Sequence, residues 1–314
     1  MKDVLAIFVS DLHLSHTPPI WRSCESDWYA VQEQALNELR DLKEKHSSYR
    51  HKYIRSECPI FCAGDLFDKW NSPPELINFA LQHLPPIYAI PGQHDLPNHN
   101  LKEIHKSAYW TLVKAKKILH IKEPVAIAEG MILHGFAFGR KIRKVKNSDR
   151  NPNCTHIALI HQYNWIPKAS YTKASVKRKV TRKRKEFRGY DIVVCGDNHI
   201  AFEKTVGDTL FWNCGGFMRL HSDQIKHRPR VGLLMEDGTV KNHKLKAYHS
   251  DNHISIDSKS EKRADMDLTE LGNELLKLND ARFDFQVAVN HYMQKYNVRT
   301  EVMKVILKSI EAAK

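Results

Sequence analysis

Five times within its first 200 residues the chain runs an apolar stretch straight into a short cluster of Asp, His or Gln. The clusters are SDLH (Asp11, His13), GDLFD (Asp65, Asp68), PGQHD (Gln93, His94, Asp95), IHQ (His161) and GDNH (Asp197, His199). Short apolar runs read as buried strands, and the loops that follow parallel strands gather at the carboxyl edge of a sheet. The fold must therefore bring several strand ends to one place. Taken singly, each cluster has an ordinary explanation. An Asp-x-His after a strand is usually a turn, and a lone buried His is more often a hydrogen-bonded core residue than a ligand. Five in succession, each with oxygen or imidazole donors, point instead to a metal site.

The rest of the chain supplies the scaffold for such an edge. VLAIFVS is the first strand, and DWYAVQEQALNELRDLKEKH is a helix with Val31, Ala35, Leu39 and Leu42 on one stripe and Asp27 as its cap. PIFCA precedes PPELINFALQHL, a helix entered through prolines. IYAIPG, HIALIHQ and DIVVCGDNH are further strands, and a basic polar linker, Lys141 to Cys154, lies before HIALIHQ. FEKTVGDTLFWNCGG and RVGLLMEDGTVKNHKL read as hairpins, the second with Glu-Asp-Gly at its turn. Alternating strands and helices followed by antiparallel strands predict an α/β sandwich, two sheets face to face with helices outside. Residues 251–263 are polar and aperiodic, a linker between a catalytic domain over 1–250 and a helical appendage over 264–314.

Composition narrows the class. Nothing in the 314 residues is apolar for long enough to cross a bilayer, and VLAIFV runs into Ser10 and Asp11 rather than a cleavage site. We therefore expect a soluble, cytoplasmic protein. Six scattered cysteines without a CxxC pair read as reduced thiols, not a disulfide framework or zinc knuckle. The net charge of +13 favours a polyanionic partner, although charge alone is a weak sign.

Without a cysteine ligand, the donor set of carboxylate, amide and imidazole suits manganese, iron or catalytic zinc rather than structural zinc. A carboxylate bridging two ions about 3.5–4 Å apart would clamp phosphoryl oxygens beside an attacking water. The ordered series D-x-H, G-D-x-x-D, G-N-H-D, H, G-H-x-H marks the calcineurin-like metallophosphoesterases, and this chain resembles it from Asp11 to His199. The resemblance implies a four-layer α/β/β/α fold, a dinuclear centre of divalent ions (manganese first; iron, magnesium or zinc otherwise) and phosphoester hydrolysis. Carried over by position, Asp11, His13 and His199 would hold the first ion, Asp65 would bridge, and Gln93, His161 and Asp197 would hold the second. His94 would assist the leaving oxygen, with Asp68 orienting it.

Two positions depart from the pattern, Gln93 for Asn and Asp197 for the first His of G-H-x-H. Both fall on the second ion. Both still offer oxygen donors, so a working second site is expected over a decayed one. NCGGFMR (Asn213 to Arg219) resembles the loop that follows G-H-x-H in the family and is read as structural. His120 and His134 are read as packing or surface residues.

The substrate must come from other features. KASYTKASVKRKVTRKRKEFRG lies between two ligand motifs and carries Lys177, Arg178, Lys179, Arg182, Lys183, Arg184 and Lys185. Such a run is usually a solvated face, but its flanks place it at the site's rim, where it would hold a nucleic-acid backbone. Tyr163, Trp165 and Tyr171 could stack bases. The chain thus looks like an SbcD-type DNA repair nuclease subunit, with DLHLSHTPPIWRS and PGQHDLPNHN similar to phage-borne members. In that branch a C-terminal helical segment docks on a separate SbcC-type ATPase. This chain has no P-loop of its own, and a homodimer element is the alternative. SDLHL and GDLFDKW also resemble UDP-diacylglucosamine pyrophosphatases, though no apolar-faced lid helix suits acyl chains. A non-catalytic nucleic-acid-binding relative is the third reading, separated from the others by metal content.

Overall fold

A computed structural model describes residues 3–246, apart from 52–53, 146–153, 172–173, 221–223 and 225. The expected linker at 251–263 and the helices of 264–314 lie outside the described residues. β1 (Val4–Val9) is apolar throughout because both its faces are covered. Ala6 and Phe8 enter the core between the sheets and Ile7 and Val9 the core beneath the helices, following the two-residue period of a strand.

α1 (Trp28–His46) begins where Asp27 Oδ1 accepts the Ala30 N–H at 2.9 Å. Its expected stripe packs inward, with Ala35, Leu36, Leu39 and Leu42 buried. A ribbon of β2 (Ser48–His51) and β3 (Ile54–Ser56) precedes β4 (Ile60–Cys62). Then come α2 (Pro74–His83), β5 (Ile87–Ala89), α3 (Ala108–Lys114) and β6 (Ile118–His120). The second half of the sandwich is β7 (Val125–Ala128), β8 (Met131–Phe136), β9 (Thr155–His161), β10 (Ile192–Gly196), β11 (Phe202–Val206) and β12 (Thr209–Asn213). The chain returns to the first sheet with β13 (Arg230–Met235) and β14 (Val240–Lys244).

One sheet has the order β14-β13-β1-β4-β5-β6, the other β11-β12-β10-β9-β8-β7. β1, β4, β5 and β6 run parallel, as do β8, β9, β10 and β12, so their carboxyl ends share an edge within each sheet. Between the sheets Phe8 meets Phe61 and Trp212, with ring centroids 6.2 and 6.4 Å apart. A fully buried Phe is worth roughly 1.5–3 kcal/mol, and such side chains hold the layers together. The helices α1, α2 and α3 cover the outer face of the first sheet. The outer face of the second is covered differently. Among the described residues its cover includes Val180, Phe187 and Tyr190, from the basic segment, whose only helical turns are 3-10 (Val176–Arg178 and Val180–Arg182). No helix of the described residues is long and apolar enough to cross a membrane, and all six cysteines are free thiols.

Candidate metal centre

All five clusters leave the carboxyl ends of parallel strands: Asp11 after β1, Asp65 after β4, Gln93 after β5, His161 at the end of β9 and Asp197 after β10. The turns that carry them are strained. Asp11, His13, Asp65 and Asp197 have φ of 53°, 45°, 50° and 74°, a left-handed region that non-glycine residues enter at a cost of order 1–3 kcal/mol. Long-range backbone bonds hold these turns in register. Asp11 N–H donates to the Gly64 carbonyl, His13 N–H to Asp65 and Leu14 N–H to Leu66, each near 3.0 Å.

The donor atoms converge. One atom each from Asp11, His13 and His199 lie within 4.8 Å of one another, and the same holds for His13, Asp65 and His94 and for Asp11, Asp65 and His161. His13 Nε2 and His199 Nε2 are 3.1 Å apart. Asp65 belongs to two of these groups, and its oxygens are differentiated. Oδ1 accepts the His94 N–H at 2.9 Å, while Oδ2 is buried without a hydrogen-bond partner, 3.2 Å from His161 Nε2 and 3.7 Å from His13 Nε2. His161 Nδ1–H donates to the Ala63 carbonyl, which in the neutral ring leaves the lone pair on Nε2. That Nε2 also lacks a hydrogen-bond partner, as does Gln93 Oε1.

Three buried lone-pair atoms without a donor would each cost about 1–3 kcal/mol. All three are atom types that ligate hard or borderline divalent cations. Charge tells the same story. Burial raises the Asp11 carboxyl to about 6 and also raises Asp197. Burial would likewise raise Asp65, but the imidazoles of His161, His13 and His94 overcome it and hold that acid well below its usual range. His161 is driven the other way, its pKa held near 10 by Asp65, Asp11 and Asp197 against its own burial. The carboxylate, amide and imidazole atoms gathered here, three of them without a hydrogen-bond partner, fit a pair of divalent cations.

Two placements differ from expectation. The Asp68 carboxylate does not pair with His94. His94 Nδ1–H donates to the Asp68 backbone carbonyl at 2.7 Å, whereas the Asp68 carboxylate stands 3.7 Å from His13 Nδ1, which holds Asp68 below the usual carboxylate range. The cause lies in the backbone: the Asp68 N–H donates to the Leu14 carbonyl and so lays this loop alongside the residues that carry His13. Asp197 belongs to none of the three donor groups. Its Oδ1 accepts the Gln93 amide N–H at 2.8 Å, and its own N–H donates to Asp11. The two residues that depart from the expected pattern are therefore bonded to each other.

The basic segment also divides. Lys177, Arg182, Arg184 and Lys185 are exposed. Lys183 is not available to a ligand. It is buried between Val180 and Phe187, and its Nζ donates to Glu186 at 2.5 Å. Lys179 lies over the Trp165 ring, 5.6 Å from its centroid, and Arg184 packs on the Gly207 turn. Arg178 faces the centre, lining a cavity of about 530 Å³ together with His161, Tyr163 and Asp197. The Tyr163 and Tyr171 rings contact each other at a tilt of 54°, their centroids 4.8 Å apart. His120 Nδ1 stands 2.9 Å from Tyr109 Oη, whose hydroxyl donates to the Ala89 carbonyl, and His134 meets His156, packing roles as expected.

Several residues inside the motifs support the site without being ligand candidates. Asp95, fully buried, accepts the N–H groups of Leu66, Phe67 and Gly92 at 2.9–3.2 Å and so ties the Asp65 loop to the Gln93 loop. Its burial beside Asp65 raises its pKa to about 6 against the pull of those bonds. Asn198 donates to the Asn164 and Ala169 carbonyls and accepts from Ile200, fixing the turn between Asp197 and His199. In the NCGGFMR loop, Phe217 N–H donates to the Asp11 carbonyl and Gly216 N–H to that of His199. Asp95→Ala would orphan three buried donors at about 1–3 kcal/mol each. The expected loss of unfolding free energy is about 3 kcal/mol or more, read by urea denaturation; a loss below about 1 kcal/mol would show that the loops hold without it.

Against known proteins, the sequence pattern of the calcineurin-like phosphoesterases matches residues 5–201, a span that contains every ligand candidate from Asp11 to His199. Among solved structures, the chain is similar to an archaeal phosphodiesterase, at 13% identity and a TM-score of 0.36, over 78% of this chain and 100% of that one. It is also similar to a sulfate thiohydrolase of Thermus thermophilus, at 10% identity and a TM-score of 0.42, over 77% of this chain and 56% of that one. None of the curated proteins matches it.

Proposed function

The chain belongs to the calcineurin-like phosphoesterase family, and from that premise we propose that its metal-dependent phosphoesterase chemistry is directed at DNA, as in SbcD-type nuclease subunits. The observation that carries this reading is Arg178, which brings the basic segment into the cavity occupied by His161 and Asp197. A phosphodiester backbone held along Lys177, Arg178, Arg182 and Lys185 would thereby reach the centre.

Asp11, His13 and His199 would hold one ion, Gln93 and His161 the other, and Asp65 would face both. Bound there, the ions would supply positive charge to the phosphoryl oxygens and lower the pKa of the attacking water. The chain's own groups do the rest. The Asp68 carbonyl fixes the His94 ring by taking its Nδ1–H, so that the Nε2–H of the protonated ring can be given to the leaving oxygen. Asp68's carboxylate steadies His13, and the Gln93 amide holds Asp197 at the second ion. On this reading a separate SbcC-type ATPase is the partner sought, since the chain has no P-loop.

The test is manganese-dependent hydrolysis of single-stranded DNA, duplex DNA and bis(p-nitrophenyl) phosphate, with Lys177, Arg178, Arg182 and Lys185 reversed to Glu in a parallel variant. DNA cleavage that collapses in the variant is expected. Turnover of the small diester with no DNA cleavage by the unaltered protein would sink the nuclease reading and leave a general phosphodiesterase. Failure to retain any manganese would favour a non-catalytic binding protein.

A further inference from the structure

A second set of cations leads away from the centre on another side. Besides Arg178, the cavity that holds His161 and Asp197 is lined by Arg140, Lys141 and Lys144. A neighbouring cavity of about 670 Å³ contains Trp110, Lys122 and Arg143. The two share Phe136, Ala137, Arg140 and Lys141, so they adjoin along a common wall. None of their six cations makes an ion pair with a carboxylate among the described residues. Three carboxylates share their walls: Glu186 is taken by Lys183, Asp197 accepts from Gln93, and Glu123 lines the neighbouring cavity. Six cations against three acids leave an excess of positive charge, and a polyanion relieves the repulsion among them.

The groove is built rather than incidental. Four of its six cations sit on residues 140–144, a segment fastened to the second sheet. Tyr190 Oη donates to the Arg143 carbonyl at 2.7 Å, and Ile142 and Val145 pack into the cluster that contains Phe187 and Tyr190. Gly189, at φ 96°, lets Val145 approach, since a Cβ there would stand 2.9 Å from Val145 Cβ. At the far end the Trp110 ring is partly exposed, with the Lys122 and Lys114 ammonium groups 5.7 and 5.9 Å from its centroid. Both ammonium groups lie over the ring, so an unpaired base would stack on Trp110 by taking a lysine's place there, which the bases of a duplex, already stacked, would not do.

We propose that this groove is the track of a single-stranded nucleic-acid segment continuous with the scissile phosphate, its backbone on Arg140, Lys141 and Arg143 and a base on Trp110. The proposal rests on the nuclease reading of the centre and assigns the form of its substrate. It adds the segment 140–144 to the strand contacts of the basic segment at 177–185, whose Arg178 lines the same cavity.

The test uses the full chain and a fluorescent, cleavage-resistant phosphorothioate oligothymidylate, with anisotropy recorded across salt. For Arg140→Ala/Arg143→Ala the slope of log affinity against log salt should fall by about 1.4, at about 0.7 per phosphate contact to a single strand. Lys204→Ala/Lys241→Ala removes the same charge from exposed positions on β11 and β14 and should leave the slope alone. Trp110→Ala should weaken binding roughly tenfold or more with little change of slope, the size of one lost stacking contact. If both double variants behave alike while the unaltered protein binds and cleaves, the track is wrong and the nuclease reading stands. If the groove variants lose duplex and single strand equally, the single-strand assignment is overturned. If the unaltered protein hydrolyses the small diester but binds no oligonucleotide, the nuclease reading falls and the track with it.

Discussion

Asp65→Asn is expected to abolish metal-dependent turnover while leaving the fold intact. Asn keeps an oxygen where Oδ1 accepts the His94 N–H, so that loop contact survives. The change falls on the other atom. Oδ2 now faces His161 Nε2 at 3.2 Å and His13 Nε2 at 3.7 Å, and in the variant an amide NH2 stands there. An NH2 has no lone pair for a cation but can donate to the free Nε2 of neutral His161, so the exchange satisfies the protein and closes the site to metal. Loss of a bridging carboxylate removes charge stabilisation from both ions at once, and turnover of a small phosphodiester should fall by roughly 10³-fold or more. Metal content by elemental analysis should fall below two ions per chain, while the variant still unfolds in one cooperative transition. Two ions retained with turnover within about tenfold of the unaltered protein would remove Asp65 from between them.

That result would bear on how Asp68 differs from Asp65, and here the sequence reads only part of the site. Strand ends are legible because a strand buried on both faces must be continuously apolar, and its last residue is marked by the first acid or imidazole. VLAIFV into Ser10 and Asp11 and DIVVCG into Asp197 are both read this way. The partners of those side chains are less legible. GDLFD says that Asp65 and Asp68 leave one loop, but not that Asp68 N–H will bond to Leu14 and turn its carboxylate toward His13. Asp95 and Asn198 act through bonds to distant backbone groups, which leave no spacing in the chain. Lys183 reads as one cation among seven. Its burial follows from Val180 and Phe187 on either side, two apolar residues easily passed over in so charged a run. Gln93 and Asp197 look like separate departures because they are 104 positions apart, yet one hydrogen bond of 2.8 Å joins them. A Gln reaches one methylene further than Asn and an Asp less far than His, so the longer side chain meets the shorter.

Gly64→Ala should cost more than the site alone explains, and comparison with Gly238→Ala isolates the reason. Both glycines have positive φ, 100° and 76°, so an alanine at either position is strained by the backbone, a cost of order 1–3 kcal/mol. At Gly238, in the turn between β13 and β14, the nearest atom to a new Cβ is Thr155 Oγ1 at 3.8 Å, ordinary contact. At Gly64 the new Cβ would stand 2.3 Å from His161 Nδ1 and 2.9 Å from the Gly92 nitrogen. His161 cannot swing aside cheaply, because the same Nδ1 is bonded to the Ala63 carbonyl and the ring is buried. Either the ring leaves its place, stranding Asp65 Oδ2, or the loops after β4 and β5 move apart and break the Leu66 and Phe67 N–H bonds to Asp95. The expected outcome is a loss of stability at least about 3 kcal/mol larger than for Gly238→Ala, the order of several orphaned buried groups. Manganese affinity, measured by titration calorimetry, should fall in Gly64→Ala and stay unchanged in Gly238→Ala. Equal stability losses with equal manganese affinity would mean that His161 yields freely, and the second ion would then need a ligand other than this imidazole.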